Sequence, residues 1–129
     1  MNIWTNGCYD IIHIGHIRLF EYAASLGDLY VGIDSDERIK KSKGPDRPFN
    51  NQNIRKEFLY SIKHIKFVNI FDNEIEMCRL LRLFKINTIV IGDDYIGKPI
   101  IGKNIVSNII FFPKVENIST SRILCHKSK

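Results

Sequence analysis

The chain is poor in cysteine: Cys8, Cys78 and Cys125 are the whole set, and no C-x-x-C pair occurs among them. An odd, scattered set argues against a disulfide framework and against a zinc site, and suits a reducing cytoplasm. Long apolar runs are missing as well. No stretch approaches the roughly eighteen residues that a membrane-spanning helix needs, and the amino terminus lacks the layout of a secretion signal. There is no internal repeat, low-complexity tract or interdomain linker, so 129 residues with 44% hydrophobic content are expected to form one domain, 1–129, around one core. The net charge of +5 raises nucleic acid as a partner. The cations are dispersed, however. Lys40, Lys41, Lys43 and Arg47 cluster, while Lys63, Lys66, Lys85, Lys103 and Lys127 are scattered, and no aromatic–basic interleaving or helix-turn-helix pattern accompanies them. Neither nucleic acid nor a membrane is expected as a partner.

What is present is an alternation of strands and helices. Residues 2–5 form a short strand candidate bounded by Gly7. After Gly15, the apolar residues Ile17, Phe20, Ala23, Ala24 and Leu26 recur at roughly helical spacing until Gly27-Asp28 supplies a stop. Residues 29–33 predict a second strand. The stretch 35–52 reads as a long connection without secondary structure, a kind of loop that is functional or disordered. A helix over 53–63 is predicted with Ile54, Phe58, Leu59 and Ile62 on one side, then a strand over 65–71. The next helix, 73–84, is predicted to turn Ile75, Cys78, Leu81 and Phe84 inward, with Met77, Leu80 and Leu83 extending that face toward a neighbour; a homodimer is expected on that ground. Strands follow over 87–92 and 108–112, and Ser119 or Thr120 caps a last helix through Ile123 and Leu124. Such alternation implies right-handed crossovers and a five-stranded parallel sheet covered on both faces, a three-layer αβα architecture. Ligands of such sheets bind beyond the carboxyl ends of the strands, where the strand order reverses. The loop after the first strand is thereby expected beside the loop after Ile91.

That first loop is the richest part of the chain. Thr5-Asn6-Gly7-Cys8-Tyr9-Asp10-Ile11-Ile12-His13-Ile14-Gly15-His16 holds a strand end, a glycine turn, two histidines and a helix start within twelve residues. A helix start carries unpaired N–H groups and a positive dipole end, and so attracts phosphate before any side chain is considered. Two imidazoles three residues apart can face the same side of that end and donate to phosphate oxygens, while Gly15 leaves room for close approach. A pair of metal ligands, or histidines that satisfy a local hydrogen bond, are the plainer alternatives.

His13-Ile14-Gly15-His16 in a strand–turn–helix context resembles the HxGH signature of the nucleotidylyltransferase superfamily. Residues 5–10 are similar to the opening of the heptose-1-phosphate adenylyltransferases, and the glycerol-3-phosphate cytidylyltransferases open in a related way. Lys43-Gly44-Pro45-Asp46-Arg47-Pro48-Phe49-Asn50 resembles the KGxxRPxN segment of the heptose-type enzymes, with Arg55 matching the arginine that follows it. The piece from Pro113 to Ser121 resembles the ISTS/T motif, departing from it at Lys114, where arginine is common, and at Asn117, where glycine is. A lysine gives phosphate recognition less direction than the arginine fork.

The resemblance implies a Rossmann-like sheet of order 3-2-1-4-5. It implies attack by a substrate phosphate oxygen on the α-phosphorus of ATP or CTP, releasing pyrophosphate. His13, His16, Lys43 and Arg55 are then the catalytic set. Thr5, Asn6, Gly7, Cys8, Tyr9, Gly15, Gly92, Asp93, Lys114, Ile118, Ser119 and Thr120 are expected at the nucleotide, and Asp10, Arg47 and Asp94 at a phosphorylated sugar or polyol. Asp10 has two further readings, orienting a histidine or holding its turn. Mg2+ is expected to arrive with the triphosphate and keep its waters, with no dedicated protein cage. ATP with a heptose-like phosphate is preferred, and CTP with a polyol phosphate comes next. A nucleotide-binding module without catalysis is the reading from another class.

Overall fold

The structure, a computed structural model, describes residues 1–113. The helix expected after Ser119 or Thr120, and the site residues Lys114, Ile118, Ser119 and Thr120, lie outside the described residues. Five strands form one sheet: β1 (Asn2–Gly7), β2 (Asp28–Asp34), β3 (Phe67–Phe71), β4 (Thr88–Gly92) and β5 (Asn108–Phe112). Their order is β3-β2-β1-β4-β5 and every pairing is parallel. The order and direction expected from the sequence are both found. Between the strands run α1 (Ile14–Leu26), α2 (Asp36–Lys43), α3 (Gln52–Tyr60) and α4 (Glu74–Leu83), and a single 3-10 turn, Asp93–Tyr95, follows β4.

Strand periodicity sorts the core into two layers. On one face Ile3, Leu29, Val31, Ile33 and Val90 pack with Phe20 and Ala23 of α1 and Leu59 of α3. On the other, Trp4, Phe71, Ile89 and Ile91 pack with Met77 and Leu81 of α4. Burial of each large side chain contributes about 1.5–3 kcal/mol. The Trp4 indole lies across β2 at Gly32, where a Cβ would collide with its ring.

Three expectations are corrected. The connection 35–52 is not free of secondary structure: Ser35 caps α2 by accepting from Arg38 N–H (3.2 Å), acids occupy its first turn and lysines its last, and Gly44 ends it at φ +105°. These end signals suit the helix dipole, but only Ile39 is buried, so no apolar stripe announces the helix. On α4 the inward seam is Met77 and Leu81 with Leu80 and Phe84 beside them; Ile75 is 75% exposed and Leu83 67%. Asn73 caps this helix by accepting from Glu76 N–H (2.8 Å), which fixes its start. On α3 the buried pair is Arg55 and Leu59, whereas Ile54 and Phe58 are half exposed. A buried arginine occupies the position that a purely apolar reading gives to its neighbours.

Candidate active site

The strands end at a cavity of about 510 Å³ above their carboxyl edge. β1 delivers Thr5, Asn6 and Gly7 to it, the following turn delivers Cys8 and Tyr9, and the start of α1 delivers His13, Gly15 and His16. Tyr9 turns the chain in the left-handed region at φ +50°, a conformation costing about 1–3 kcal/mol for a residue with a side chain. Its buried ring closes under Gly7, where a Cβ would stand 3.1 Å from the ring, and meets His16 edge-on at 5.2 Å between centroids. Burial pushes the Tyr9 phenol upward, so it stays protonated.

The two histidines build the helix start themselves. His13 is the N-cap residue, and its Nδ1 accepts the Gly15 N–H at 3.1 Å; the His16 Nδ1 accepts the His13 N–H, also at 3.1 Å. This is a capping box made from imidazoles in place of hydroxyl and carboxylate. An Nδ1 that accepts an N–H bears no proton, so each neutral ring carries its proton on Nε2. The rings stack at 3.8 Å with 23° between planes. Both rings line the cavity.

Burial, and then the neighbouring His13, lower the His16 pKa from 6.5 to about 4. The folded state thus resists a proton that the unfolded chain accepts near 6.5. His16 contributes stability that is fully present above that pH and is lost as pH falls from about 6.5 toward 4. NMR titration of the ring is expected to show it neutral at pH 6, and urea unfolding to give lower stability at pH 5 than at pH 7. A His16 midpoint at or above 6.5 would contradict the capping arrangement.

A second wall comes from β2 and α2. Asp34, the last residue of β2, accepts from Arg38 Nε at 2.9 Å through Oδ1 and from Cys8 Sγ at 3.1 Å through Oδ2. Burial, and then the Asp34 charge, push the Cys8 thiol up to about 11. Cys8 is therefore a hydrogen-bond donor here rather than a thiolate nucleophile. Lys43 lies beside that thiol, and Arg38, Ser42 and Lys43 all line the cavity from α2. The opposite flank is largely apolar: Ile91, Ile100, Ile101, Phe112 and Pro113, with Gly92, Asp94 and Tyr95 at the mouth of β4.

Behind these walls stands Arg55, 1% exposed. Its Nε donates to the Asn50 carbonyl (3.0 Å), one terminal nitrogen to the carbonyls of Cys8 and Asp34 (2.8 Å each), and the other to Asp36 Oδ1 (2.8 Å). The guanidinium ties the β1 turn, the end of β2, the start of α2 and the segment before α3 into one block. Asp10, also buried, does likewise for the chain after α2: its two oxygens accept the Phe49 and Asn50 N–H groups at 2.8 Å each, and its carbonyl accepts from Asn50 Nδ2. Arg47 pairs with it at 3.6 Å and stacks on Phe49.

Of the residues expected at the site, Thr5, Asn6, Gly7, Cys8, Tyr9, His13, Gly15, His16, Lys43, Gly92 and Asp94 surround one cavity. Arg55, Asp10, Arg47 and Asp93 are not among its lining residues, and the first three are engaged within the protein as described. Sequence reading missed Asp34, Arg38, Ser42 and Tyr95. The first three were within reach: an acid closing a strand next to β1, then a cap and a dipole-matched helix whose positions 38 and 42 share a face.

Among the described residues no group of three His, Cys, Asp or Glu side chains is placed to hold a metal ion. Likewise, no described helix is long and apolar enough to cross a membrane.

The chain is similar to known proteins over nearly its whole length. It is 38% identical over 123 residues to the bifunctional protein HldE of Aliarcobacter butzleri and 41% identical over 123 residues to that of Campylobacter jejuni subsp. doylei, covering 95% of this chain and 26% of each relative. It thus spans about a quarter of the length of these curated relatives. Among solved structures, a lipopolysaccharide core biosynthesis protein from Thermoplasma volcanium superposes with a TM-score of 0.73 at 22% identity, covering 90% of this chain and 98% of that one. A protein of unknown function from Archaeoglobus fulgidus gives a TM-score of 0.64 at 17% identity, with 92% and 94% covered. These two share the fold. The Cytidylyltransferase-like family matches residues 4–125, so that, in sequence as in architecture, the chain belongs to the cytidylyltransferase-like nucleotidyltransferases.

Proposed function

We propose that this chain transfers a nucleoside monophosphate from a nucleoside triphosphate to the phosphate of a phosphorylated sugar, with ATP and a heptose-like 1-phosphate as the preferred pair. The observation that carries this reading is the stacked imidazole pair, both Nδ1 atoms occupied by backbone N–H groups, at a helix start that faces the cavity. An acceptor phosphate oxygen forms a bond to the α-phosphorus as the bond from that phosphorus to the bridging oxygen breaks, and the electron pair leaves with pyrophosphate. The Nε2–H groups of His13 and His16 donate to the α-phosphate as charge grows there. Because the rings are already held by the capping box, no reorganisation is needed at that moment. Lys43 offsets charge on the departing phosphates. Arg55 positions the surrounding segments rather than touching the nucleotide, and Asp10 with Arg47 fixes the chain that follows α2. Lys114, Ile118, Ser119 and Thr120 are assigned to the far end of the triphosphate on the motif resemblance alone.

Asp34 and Asp94 put oxygen donors of the kind a hard cation takes into the cavity, but Asp34 is committed to Arg38 and Cys8. Asp94 is the carboxylate that would hold magnesium carried in on the triphosphate, and the ion would supply neutralisation of phosphate charge. Homodimerisation through the exposed Ile75 and Leu83 of α4, and a cytoplasmic setting, belong to the same proposal.

The preference for ATP and a heptose-like phosphate is supported by the KGxxRPxN-like run over 43–50 and by the HldE relatives. CTP with a polyol phosphate is the second reading, favoured by Gly92-Asp93-Asp94 and the Ile118-Ser119-Thr120 run. Incubation with each nucleoside triphosphate and a panel of sugar 1-phosphates and polyol phosphates is expected to release pyrophosphate with ATP and a sugar 1-phosphate. Release only with CTP and a polyol phosphate would select the second reading. Tight nucleotide binding without turnover of any pair would overturn both, leaving a binding module.

A further inference from the structure

The proposed transfer brings together two molecules that both carry phosphate, so the cavity needs two places for negative charge. The imidazole pair and the start of α1 form one of them, at the mouth of β1. We propose that Arg38 is the second: the group that binds the phosphate monoester of the acceptor, on the β2–α2 wall and apart from the nucleotide.

Three observations support this. Arg38 lines the cavity, and its guanidinium is held at one edge only, by Asp34 Oδ1 on Nε. Its Cζ also lies 5.3 Å from the centroid of the Phe71 ring, a second contact that restrains the side chain. Among the described residues the two terminal nitrogens have no hydrogen-bond partner, which leaves the fork that matches a phosphate in bidentate fashion.

Next, Asp34 would repel an anionic ligand if left bare, yet its oxygens are occupied by Arg38 and by the Cys8 thiol. It acts as a bracket for the arginine. The bracket is itself anchored, because Arg55 grips the Asp34 carbonyl and the Asp36 carboxylate, and Gln52 Oε1 accepts the Asp36 N–H at 2.9 Å. Immobilisation in advance lowers the cost of binding.

Finally, the two flanks of the cavity differ in character. Ile91, Ile100, Ile101, Phe112 and Pro113 offer an apolar surface suited to a nucleobase on the β4–β5 side. Arg38 and Ser42, one helical turn apart, offer cation and hydroxyl on the β2 side, which suits a phosphorylated polyhydroxy compound. Lys43, on the same wall beside Cys8, is left for the departing phosphates. An acceptor whose phosphate is gripped by Arg38 approaches the α-phosphorus from the side opposite the base.

The proposal rests on the transfer reading and is tested separately from it. In steady-state assays Arg38→Ala is expected to raise the KM for the phosphorylated acceptor about 10–100-fold, the worth of a lost charge-assisted pair. The KM and equilibrium affinity for the nucleoside triphosphate should stay within about twofold. Arg38→Lys should recover part of the loss, since it keeps the charge and not the fork. An equal rise in the nucleotide KM, or an unchanged acceptor KM, would overturn the proposal. If the wild-type chain turns over no pair, the transfer reading fails on its own. Arg38 is then judged by calorimetric titration of glucose 1-phosphate and glycerol 3-phosphate into protein saturated with nucleotide. Binding by the wild type and loss of that binding in Arg38→Ala supports the assignment; equal binding by both proteins, or none by the wild type, refutes it.

Discussion

His16→Ala is expected to lower the turnover number by about 10²–10³-fold, the range found when one preorganised donor to developing charge is deleted. The substitution removes two things at once: the Nε2–H that the proposal assigns to the reacting phosphate, and the Nδ1 that accepts the His13 N–H at 3.1 Å. Loss of the second costs about 1 kcal/mol of helix-start stability, as for other caps. His16→Gln separates the two, because glutamine at the third helical position serves as a capping-box acceptor but has no ring stacked on His13. Stability close to wild type is expected in that variant, measured by urea unfolding, with turnover still reduced by at least about tenfold. Full activity in His16→Gln would confine the residue to a capping role.

Arg55→Ala is expected to produce the largest loss of stability, about 3–5 kcal/mol, because it empties a buried side-chain site and strips the partner from the half-buried Asp36 carboxylate and from three part-buried carbonyls at once. In a domain whose whole stability is about 5–15 kcal/mol, much of the folded population is at stake. Arg55→Lys is not expected to rescue it. A compact ammonium cannot reach the carbonyls of Cys8, Asp34 and Asn50 together with Asp36, whereas the planar fork does so at 2.8–3.0 Å. Urea unfolding of the lysine variant is the safer measurement should the alanine variant fail to fold. A change below about 1 kcal/mol in Arg55→Lys would contradict the bracing role, since surface substitutions give effects of that size.

Arg55 also shows where the sequence is readable and where it is not. The parallel sheet and the convergence of the β1 and β4 loops were legible, because strand runs such as 87–92 and the helical spacing after Gly15 report burial directly, while the strand order came from the motif resemblance. Arg55 was legible as important but not as structural: the motif resemblance assigns it to phosphate, while its carbonyl partners come from Asn50 nearby and from Cys8 and Asp34, distant in sequence. The helix α2 was hidden for the opposite reason. Only Ile39 of its eight residues is buried, so the apolar period is silent, although Ser35, the flanking charges and Gly44 mark both ends. The inward faces of α3 and α4 were misjudged for a shared cause. Several apolar residues compete for each seam, and the capping residues Asn51 and Asn73 set the phase that decides among them. Arg38 went unnoticed with the helix that carries it: once α2 is recognised its i,i+4 pairing with Asp34 is legible, whereas the contact with Phe71, thirty-three positions away, exists only in the fold.

The most direct measurement is a long-range 1H–15N NMR spectrum of the histidine rings, recorded with and without nucleoside triphosphate. The tautomer set by the backbone bonds is expected to be visible in the free protein: His13 and His16 protonated on Nε2 with Nδ1 accepting. Addition of the triphosphate should then move the Nε2–H signals of these two rings downfield and leave His64, which lies beside Glu21, unmoved. Rings that carry their proton on Nδ1, or Nε2–H signals indifferent to saturating nucleotide, would contradict a phosphate-gripping imidazole pair.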